Sequence, residues 1–279
     1  MTLATDTAAP PQASEAPSPG AIVFRNVRKA FQSRGGAESE VLSNLNLAIA
    51  EGEFFCLVGP SGCGKTTALG MVAGFETTSG GTLSIFGAPA AGPGPDRGVV
   101  FQGDDSLFTW LTAQQNVEFG LRMQGMPAEA RRQRARAMLA LVGLAGQEDK
   151  FPAELSGGMK QRVQIARVFV TKPRILLMDE PFGALDAQNR LLLQESLRDI
   201  WRRTKTTALF ITHDVEEAIM LGTRVGVMRA GPRSNLKAIV EIDLPEVRER
   251  TSPAFTEYYR QLHGLLRDEI HAPAPAGAS

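Results

Sequence analysis

A run of five apolar residues, Phe54–Val58, leads directly into the segment Gly59–Thr66, which reads GPSGCGKT. This segment fits the pattern G-x-x-x-x-G-K-[ST], in which the backbone N–H groups of a glycine-rich turn surround a phosphate group. A helix that begins at Lys65 would point its first N–H groups at the same anion. Lys65 adds a positive charge and Thr66 a hydroxyl ligand for Mg²⁺. The sequence therefore predicts a buried strand, a phosphate loop and a helix, in that order.

The whole loop is a candidate nucleotide site, because its contacts come from the backbone as well as from side chains. The alternative is a glycine-rich turn without a ligand, which would leave the strand and helix around it as coincidence. The candidate contacts are Gly59, Pro60, Ser61, Gly62, Cys63, Gly64, Lys65, Thr66 and Thr67.

Short apolar runs alternate with helical patterns along most of the chain. Strands that alternate with helices predict an α/β domain with a mostly parallel sheet. The predicted strands are Ile22–Val27 as an edge strand, Val41–Ile49, Phe54–Val58, Val99–Phe101, Ile175–Met178, Ala208–Ile211 and Val225–Met228. The predicted helices of this part are Lys65–Ala73 and the polar Ala187–Arg203.

Residues 103–170 interrupt this alternation, because they contain no convincing buried strand. Ala128–Val142 reads as a helix, and we interpret its basic face as solvated. The arginines of that face are Arg131, Arg132, Arg134 and Arg136. We therefore predict a helical subdomain inserted between two parts of the sheet.

The ends of the chain are predicted from composition and periodicity. Residues 1–20 and 272–279 are rich in Pro, Ala and Ser, which indicates disordered tails around a folded region of 21–271. Within that region, about 235–271 form a C-terminal extension, with a strand near Ala238–Ile242 and a helix near Pro253–Asp268. The apolar stripe of that helix is Tyr258, Tyr259, Leu262, Leu265 and Leu266.

Composition narrows the class of protein. Lys plus Arg and Asp plus Glu are 30 each, and this balance disfavours a nucleic-acid-binding protein, which usually has a basic excess. The two cysteines, Cys56 and Cys63, have neither metal-ligand nor disulfide spacing, which suggests a reducing compartment. We find no stretch of about 18 apolar residues of the kind that crosses a bilayer.

Two acidic residues end the apolar run that begins at Ile175. Asp179, at the carboxyl end of a predicted strand, could reach Mg²⁺ through water. Glu180 beside it could orient an attacking water and remove its proton. A strand that simply ends in polar residues is the alternative, and the phosphate loop upstream favours the functional interpretation.

A second segment with exposed N–H groups is Ser156–Gln161, at the start of a predicted helix. Serine is a good N-cap, and the paired glycines Gly157 and Gly158 leave the backbone N–H groups accessible. From the residues alone this is either an anion-binding helix start or an ordinary capped helix.

The order of these motifs resembles that of the ATP-binding subunits of ABC transporters. The motifs are GPSGCGKT, VFQ, LSGGMKQR, LLMDEP, ALD and ITHD, and the resemblance runs from about Ile22 to Met228. It implies a P-loop NTPase core with a mostly parallel sheet, an N-terminal antiparallel β part and an inserted helical subdomain. It also implies ATPase activity with ATP and Mg²⁺.

The resemblance assigns further roles to matching residues. Gln102 would contact Mg²⁺ and the attacking water, and His213 would hold the γ-phosphate. The segment Ser156, Gly157 and Gly158 would contact the γ-phosphate bound by a second copy of the chain.

Two other positions follow from the same resemblance. Asp186 would lie at the interface of the two copies. Phe31 falls where the family stacks an aromatic ring on adenine, although it could equally be a core residue.

Residues 107–120 resemble the importer branch of the family, in which this region forms part of a groove for a helix of the membrane subunit. Trp110 and Leu111 are then either exposed apolar anchors or part of the subdomain core. The runs LLMDEPFGALDAQNR and ITHDVEEAIMLGTRVGVM are most similar to the nitrate, sulfonate and taurine importer group.

The importer resemblance implies a homodimer, membrane-spanning permease subunits and a periplasmic solute-binding protein in the same system, with no nucleic acid. The protein would lie at the cytoplasmic side of the inner membrane as a peripheral subunit. The alternative is a non-transport ABC ATPase of DNA repair or of the ribosome. Those proteins usually have a long coiled-coil insertion or two fused ATPase domains, which we do not find here.

Overall fold

The structure, a computed structural model, describes residues 20–32, 36, 38–101, 106–183 and 185–270. The strands are β1 Ile22–Gln32, β2 Glu38–Ile49, β3 Phe54–Val58, β4 Gly80–Ile85, β5 Ala88–Pro89, β6 Arg97–Val100, β7 Ile175–Asp179, β8 Thr207–Ile211, β9 Arg224–Met228 and β10 Leu236–Glu241. The helices are α1 Lys65–Ala73, α2 Ala113–Met123, α3 Ala128–Leu141, α4 Gly157–Phe169, α5 Ala187–Thr204, α6 Val215–Leu221 and α7 Pro253–Ile270. The predicted tails, apart from Gly20, lie outside the described residues, as does Gln102.

The strands form two sheets. The larger sheet has the order β10-β9-β3-β8-β7-β6, and only its β10–β9 pair is antiparallel. Parallel strands place their carboxyl ends at one edge, so the residues that follow β3, β7 and β8 lie near one another. This arrangement brings the phosphate loop, the acidic pair and the loop containing His213 to the same edge.

The smaller sheet is antiparallel and has the order β2-β1-β4-β5. The prediction of β1 as an edge strand is wrong, because β1 pairs with β2 on one side and with β4 on the other. The missing partner, β4, begins with Gly80 and Gly81 and continues with only short alternation, so its sequence gave little sign of a strand.

Side chains of β3 alternate between two apolar clusters on opposite faces of the larger sheet. Phe54, Cys56 and Val58 pack into the cluster that includes α4, α5 and α6. Phe55 and Leu57 pack into the other cluster, with α1 and the smaller sheet. Burial on both faces explains why this strand is a continuous apolar run.

Helices α2, α3 and α4 lie between β6 and β7 in the chain and pack on one another. The solvated interpretation of the basic face of α3 is wrong for Arg131, which is partly buried, whereas Arg136 is exposed although it also contacts α2. Arg131 Nε lies 2.9 Å from Glu118 Oε2 of α2, and Arg136 Nε donates to Gln114 Oε1 at 2.9 Å. These contacts join α3 to α2, which a single helix pattern cannot reveal.

Asn116 of α2 is fully buried and fixes the loop that precedes this helix. Its Oδ1 accepts from the Phe108 N–H at 2.9 Å, and its Nδ2 donates to the carbonyls of Phe108, Leu111 and Thr112 at 3.0 to 3.1 Å. The conformation of the residues around Trp110 therefore depends on the hydrogen bonds of one buried side-chain amide.

We expect Asn116→Ala to lower the free energy of unfolding by about 2–4 kcal/mol, because it leaves the Phe108 N–H group and the Leu111 carbonyl without the partner that the buried amide supplies. Thermal unfolding should show a melting temperature lower by about 5–10 °C. The exposed Gln133→Ala in α3 is the control and should unfold like the wild type. Equal stability of the two variants would contradict this role of Asn116.

In the C-terminal extension, β10 and α7 match the predicted strand and helix to within two residues at each end. Leu262 and Leu266 are buried in the core, with Tyr258 and Leu265 packed partly against it. Tyr259 differs from the predicted stripe, because it stacks on His263 with 5.7 Å between ring centroids and remains partly exposed.

Candidate functional site

The phosphate loop joins β3 to α1 at the carboxyl edge of the larger sheet. Gly64 has a φ of 94° at the N-cap of α1, and a Cβ there would lie 2.7 Å from Leu42 Cδ2. A Cβ on Gly59 would lie 2.8 Å from the Cβ of Met228. The first glycine is therefore fixed by packing, and the last by both conformation and packing.

Lys65 is buried, at 6% exposure, and its Nζ lies inside the loop. It donates to the carbonyls of Gly59 at 2.8 Å and Pro60 at 2.9 Å. Cys63 is also buried, and burial raises the pKa of its thiol. Exposed residues of the loop are Ser61, Gly62 and Thr66, with Pro60 and Thr67 partly exposed. The loop thus combines a fixed cation with an accessible backbone.

Asp179 ends β7 and meets the first turn of α1. Its side chain hydrogen-bonds that of Thr66, which lowers the pKa of the carboxyl, but burial is the larger effect and raises it. A hydroxyl and a carboxylate side by side are the hard oxygen donors that Mg²⁺ prefers. Among the described residues, no group of three His, Cys, Asp or Glu side chains forms a metal cluster. The Thr66 hydroxyl and the Asp179 carboxylate are thus oxygen donors of a kind that fits Mg²⁺.

Glu180 and His213 come together from two neighbouring strands. His213 Nδ1 lies 3.1 Å from Glu180 Oε2, and the histidine is the more exposed of the two. Glu180 has a φ of 43°, which costs energy in a residue other than glycine. Its N–H donates to the Ile211 carbonyl at 2.9 Å, which ties the end of β7 to the end of β8. The sequence identified both residues but not their contact.

Four residues near His213 were not predicted from the sequence as members of the site. They are Thr212, Gln194, Glu217 and Arg250, which are linked by hydrogen bonds behind the histidine. One available signal was an acid that directly precedes apolar residues of α6, since Glu217 is followed by the buried Ala218 and Ile219. Its neighbour Glu216 is exposed, so sequence alone did not separate the two.

Ser156 is the N-cap of α4, and its side chain accepts from the Met159 N–H at 3.3 Å. Ser156 and Gly157 are exposed and Gly158 is partly exposed. Where the structure describes both segments, no hydrogen bond or ion pair joins Ser156–Gly158 to the phosphate loop. The two candidate anion-binding segments of one chain are thus not joined by a direct polar contact among the described residues.

Asp186 is the N-cap of α5 and accepts from the Asn189 N–H at 3.0 Å. Asn189 also donates from Nδ2 to Asp186 at 2.6 Å and accepts from Arg162 of α4 at 3.3 Å. The hydrogen bonds from Asn189 lower the pKa of the Asp186 carboxyl. The start of α5 is therefore connected to the helix that Ser156 caps.

Phe31 lies near the end of β1 and is 38% exposed, so the interpretation of this ring as a core residue is wrong. The Lys29 ammonium lies 4.6 Å from its ring centroid. Lys29 is itself bound to Glu76 at 2.7 Å. The Phe31 ring is accessible and lies beside the Lys29 ammonium, and its stacking on adenine stays a prediction.

Comparison with known proteins gives the same result as the motifs. The family model described as ABC transporter matches residues 42–183. An uncharacterized ABC transporter ATP-binding protein of Methanocaldococcus jannaschii is 46% identical over 89% of this chain and 92% of the relative. The chain belongs to the ABC transporter ATP-binding family. It is therefore an ATP-binding and ATP-hydrolysing protein.

Two further relatives have more specific names. A nitrate import ATP-binding protein of Synechocystis sp. is 46% identical over 81% of this chain and 88% of its own. A taurine import ATP-binding protein of Sinorhizobium fredii is 44% identical over 88% and 95%. The resemblance to the nitrate and taurine importer group is thereby confirmed.

Solved structures confirm the predicted fold. A dimeric ATP-binding cassette in a post-hydrolysis state, bound to ADP and Pi, is 30% identical with a TM-score of 0.70. The match covers 80% of this chain and 100% of that chain. An α/β core with a mostly parallel sheet, an antiparallel part and inserted helices is thus the fold of this ABC protein.

The ABC chain exposes an aromatic surface at the start of α2. Trp110 is 71% exposed, which excludes the subdomain core, and its ring lies 5.4 Å from that of Phe108. Leu111 is only partly exposed and lines a cavity of about 210 Å³ with Phe119. Arg167 of α4 donates to the carbonyl of Ser106 at 2.7 Å, so this surface is tied to the helix that Ser156 caps.

None of the helices in the described part of the chain combines the length and the apolar composition that a membrane span requires.

Proposed function

We propose that this ATPase is the ATP-hydrolysing subunit of an importer and that it works as a homodimer on membrane-spanning permease subunits. The separation of the two anion-binding segments carries this proposal. The phosphate loop and Glu180 lie at one sheet edge, while Ser156 and Gly157 are exposed and no hydrogen bond or ion pair among the described residues joins Ser156–Gly158 to that loop. A second copy would supply the missing segment to each nucleotide, with Asp186 at the interface.

Within each site, the residues have separate tasks. Lys65 and the backbone N–H groups that follow Pro60 in the loop bind the β- and γ-phosphates of ATP. Thr66, Gln102 and Asp179 would hold Mg²⁺, which neutralises phosphate charge when it is bound. The contact between Thr66 and Asp179 supports this assignment.

The reaction itself is assigned to two side chains at the ends of β7 and β8. Glu180 orients the attacking water and accepts its proton, and His213 binds the γ-phosphate. The contact of 3.1 Å between them supports a joint role, because it fixes the carboxylate next to the phosphate-binding imidazole. Phe31 is assigned to the adenine.

ATP does work in this scheme through its preference for the closed dimer. It binds both copies at once, so the closed state gains contacts that the open state lacks. Hydrolysis removes the shared γ-phosphate, and the pair opens. A permease helix seated against Trp110 would follow this movement.

The solute is assigned by relationship only, since the substrate need not touch this subunit. The nitrate and taurine import proteins are similar over most of their length. Nitrate, a sulfonate, taurine or a similar small solute is therefore the proposed cargo, delivered by a periplasmic binding protein. The proposed location is the cytoplasmic face of the inner membrane.

We expect Trp110→Ala to abolish most uptake by the assembled importer while the isolated subunit hydrolyses ATP at the wild-type rate. Loss of a central aromatic anchor costs about 2 kcal/mol or more, equivalent to roughly 30-fold in affinity. Co-purification with the permease and solute uptake are the measurements. The similarly exposed Val247→Ala is the control. Normal uptake and normal co-purification in Trp110→Ala would contradict the proposed docking surface.

A further inference from the structure

A buried carboxylate lies directly behind the loop that presents His213. Glu217 is 5% exposed, and its Oε2 accepts from the Thr212 hydroxyl at 2.6 Å. The same hydroxyl oxygen accepts from the Asp214 N–H at 3.0 Å. The residues on both sides of His213 are thus attached to one hydroxyl, and that hydroxyl is attached to Glu217.

The second oxygen of Glu217 faces α5. Gln194 donates from Nε2 to Glu217 Oε1 at 3.2 Å, and both side chains are buried. Arg250, from the segment before α7, donates to Gln194 Oε1 at 2.6 Å. The chain of hydrogen bonds therefore runs from the C-terminal extension through α5 to the loop of His213.

A cation joins this chain to the start of α5. Arg190 donates to the Leu185 carbonyl at 3.0 Å, next to Asp186. Its guanidinium also lies 3.7 Å from Glu217 Oε1 and 3.8 Å from Asp214 Oδ2. Two segments that the proposed dimer requires, Leu185–Asp186 and the His213 loop, are therefore both in contact with Arg190, which is one-third exposed and lies beside the buried Glu217.

Burying Glu217 in this network would be an unfavourable way to stabilise the fold if the network had no other role. Burial raises the pKa of Glu217, because the ionised carboxylate is removed from water, and the Thr212 hydrogen bond only partly offsets this. A buried carboxylate is costly unless it is paired or hydrogen-bonded, and the hydrogen bonds that it needs select one geometry. A loop whose side chain must contact a phosphate accurately needs a fixed conformation, and directional hydrogen bonds provide it.

We propose that Thr212 and Glu217 are positioning residues for His213, and that Gln194 and Arg250 make this positioning depend on the C-terminal extension. The proposal rests on the role of His213 given above. It assigns to the extension a task in the ATPase site, beyond packing on the core.

Thr212→Val tests the proposal most directly, because valine has nearly the same shape and lacks only the hydroxyl. We expect kcat to fall about 10- to 100-fold with KM for ATP within about twofold, as for a misplaced catalytic contact. Thr212→Ser keeps the hydroxyl and should retain most activity. Arg250→Ala should give a smaller decrease that Arg250→Lys partly restores, while the exposed Arg260→Ala is the control.

The position of His213 can be followed without turnover. Ring resonances of isotope-labelled histidine, assigned by the loss of a peak in His213→Ala, should shift in Thr212→Val and stay in place in Thr212→Ser. Unchanged His213 resonances in Thr212→Val would overturn the proposal, because the hydroxyl would then not position the histidine. A normal kcat would also overturn it, because the position of the histidine would then not affect the rate.

A double variant distinguishes this proposal from the role of His213. If Thr212 acts through His213, then Thr212→Val should have little further effect on kcat in a His213→Ala background. An equal decrease in both backgrounds would show that Thr212 acts by another route and would overturn the inference. Wild-type activity of His213→Ala would instead contradict the phosphate-binding role of His213.

Discussion

Glu180→Gln should bind ATP nearly as well as the wild type and hydrolyse it at least about 100-fold more slowly. Glutamine has the shape of glutamate, and its carbonyl oxygen can take the place of the carboxylate oxygen that lies 3.1 Å from His213 Nδ1. It is not a base at neutral pH, however, and a positioned general base contributes about 10²- to 10⁴-fold to a rate. Equilibrium binding of ATP and single-turnover phosphate release measure the two properties separately.

Another acidic residue of the same protein offers a matched control for this variant. Glu257→Gln removes an acid whose side chain is 75% exposed on α7, outside the His213 network, and it should leave turnover close to normal. Near-normal phosphate release by Glu180→Gln would contradict the assignment of Glu180 as the base. Loss of ATP binding would indicate that the carboxylate serves mainly to hold the left-handed turn at φ 43° together.

The sequence predicted best where local pattern and tertiary environment agree. Phe54–Val58 is apolar throughout because both faces of β3 are covered, and the glycines at 59 and 64 are required by close approach. The start of α1 at Lys65 follows from the same motif. In this region one segment of sequence contains nearly all the information that its structure requires.

Prediction was weaker where the partner of an element is distant in the chain. β1 was predicted as an edge strand because nothing in residues 22–27 announces its second neighbour, β4. The arginines of α3 were interpreted as solvated because Glu118 and Gln114 belong to another helix. Such contacts depend on how elements pack, and a periodic pattern reports only which face of an element is apolar.

The candidate site shows the same division. Lys65, Asp179, Glu180 and His213 lie within recognisable motifs. Their mutual contacts are tertiary, however, because each motif follows a different strand. Arg250 is 37 residues from His213 in the chain and has no motif of its own. Its connection through Gln194 and Glu217 could be seen only in three dimensions.

Lys65→Ala should nearly abolish nucleotide binding. The Lys65 ammonium is buried and is fixed by the carbonyls of Gly59 at 2.8 Å and Pro60 at 2.9 Å, so it is already placed inside the loop. Losing one partner of a buried, hydrogen-bonded charge pair costs about 2–5 kcal/mol, or roughly 30- to several-thousand-fold in the dissociation constant. Titration with a fluorescent ATP analogue measures the change.

Two companion variants separate charge from geometry in this loop. Lys65→Arg keeps the charge, but a planar guanidinium cannot reproduce the compact ammonium between two carbonyls, so binding should remain weak. The exposed Lys150→Ala removes the same charge elsewhere and should bind ATP normally. Thermal unfolding of each variant establishes that it is folded. If folded Lys65→Ala bound ATP as the wild type does, Gly59–Thr66 would not be the phosphate site, because its only cation would then contribute nothing to the binding of a triphosphate.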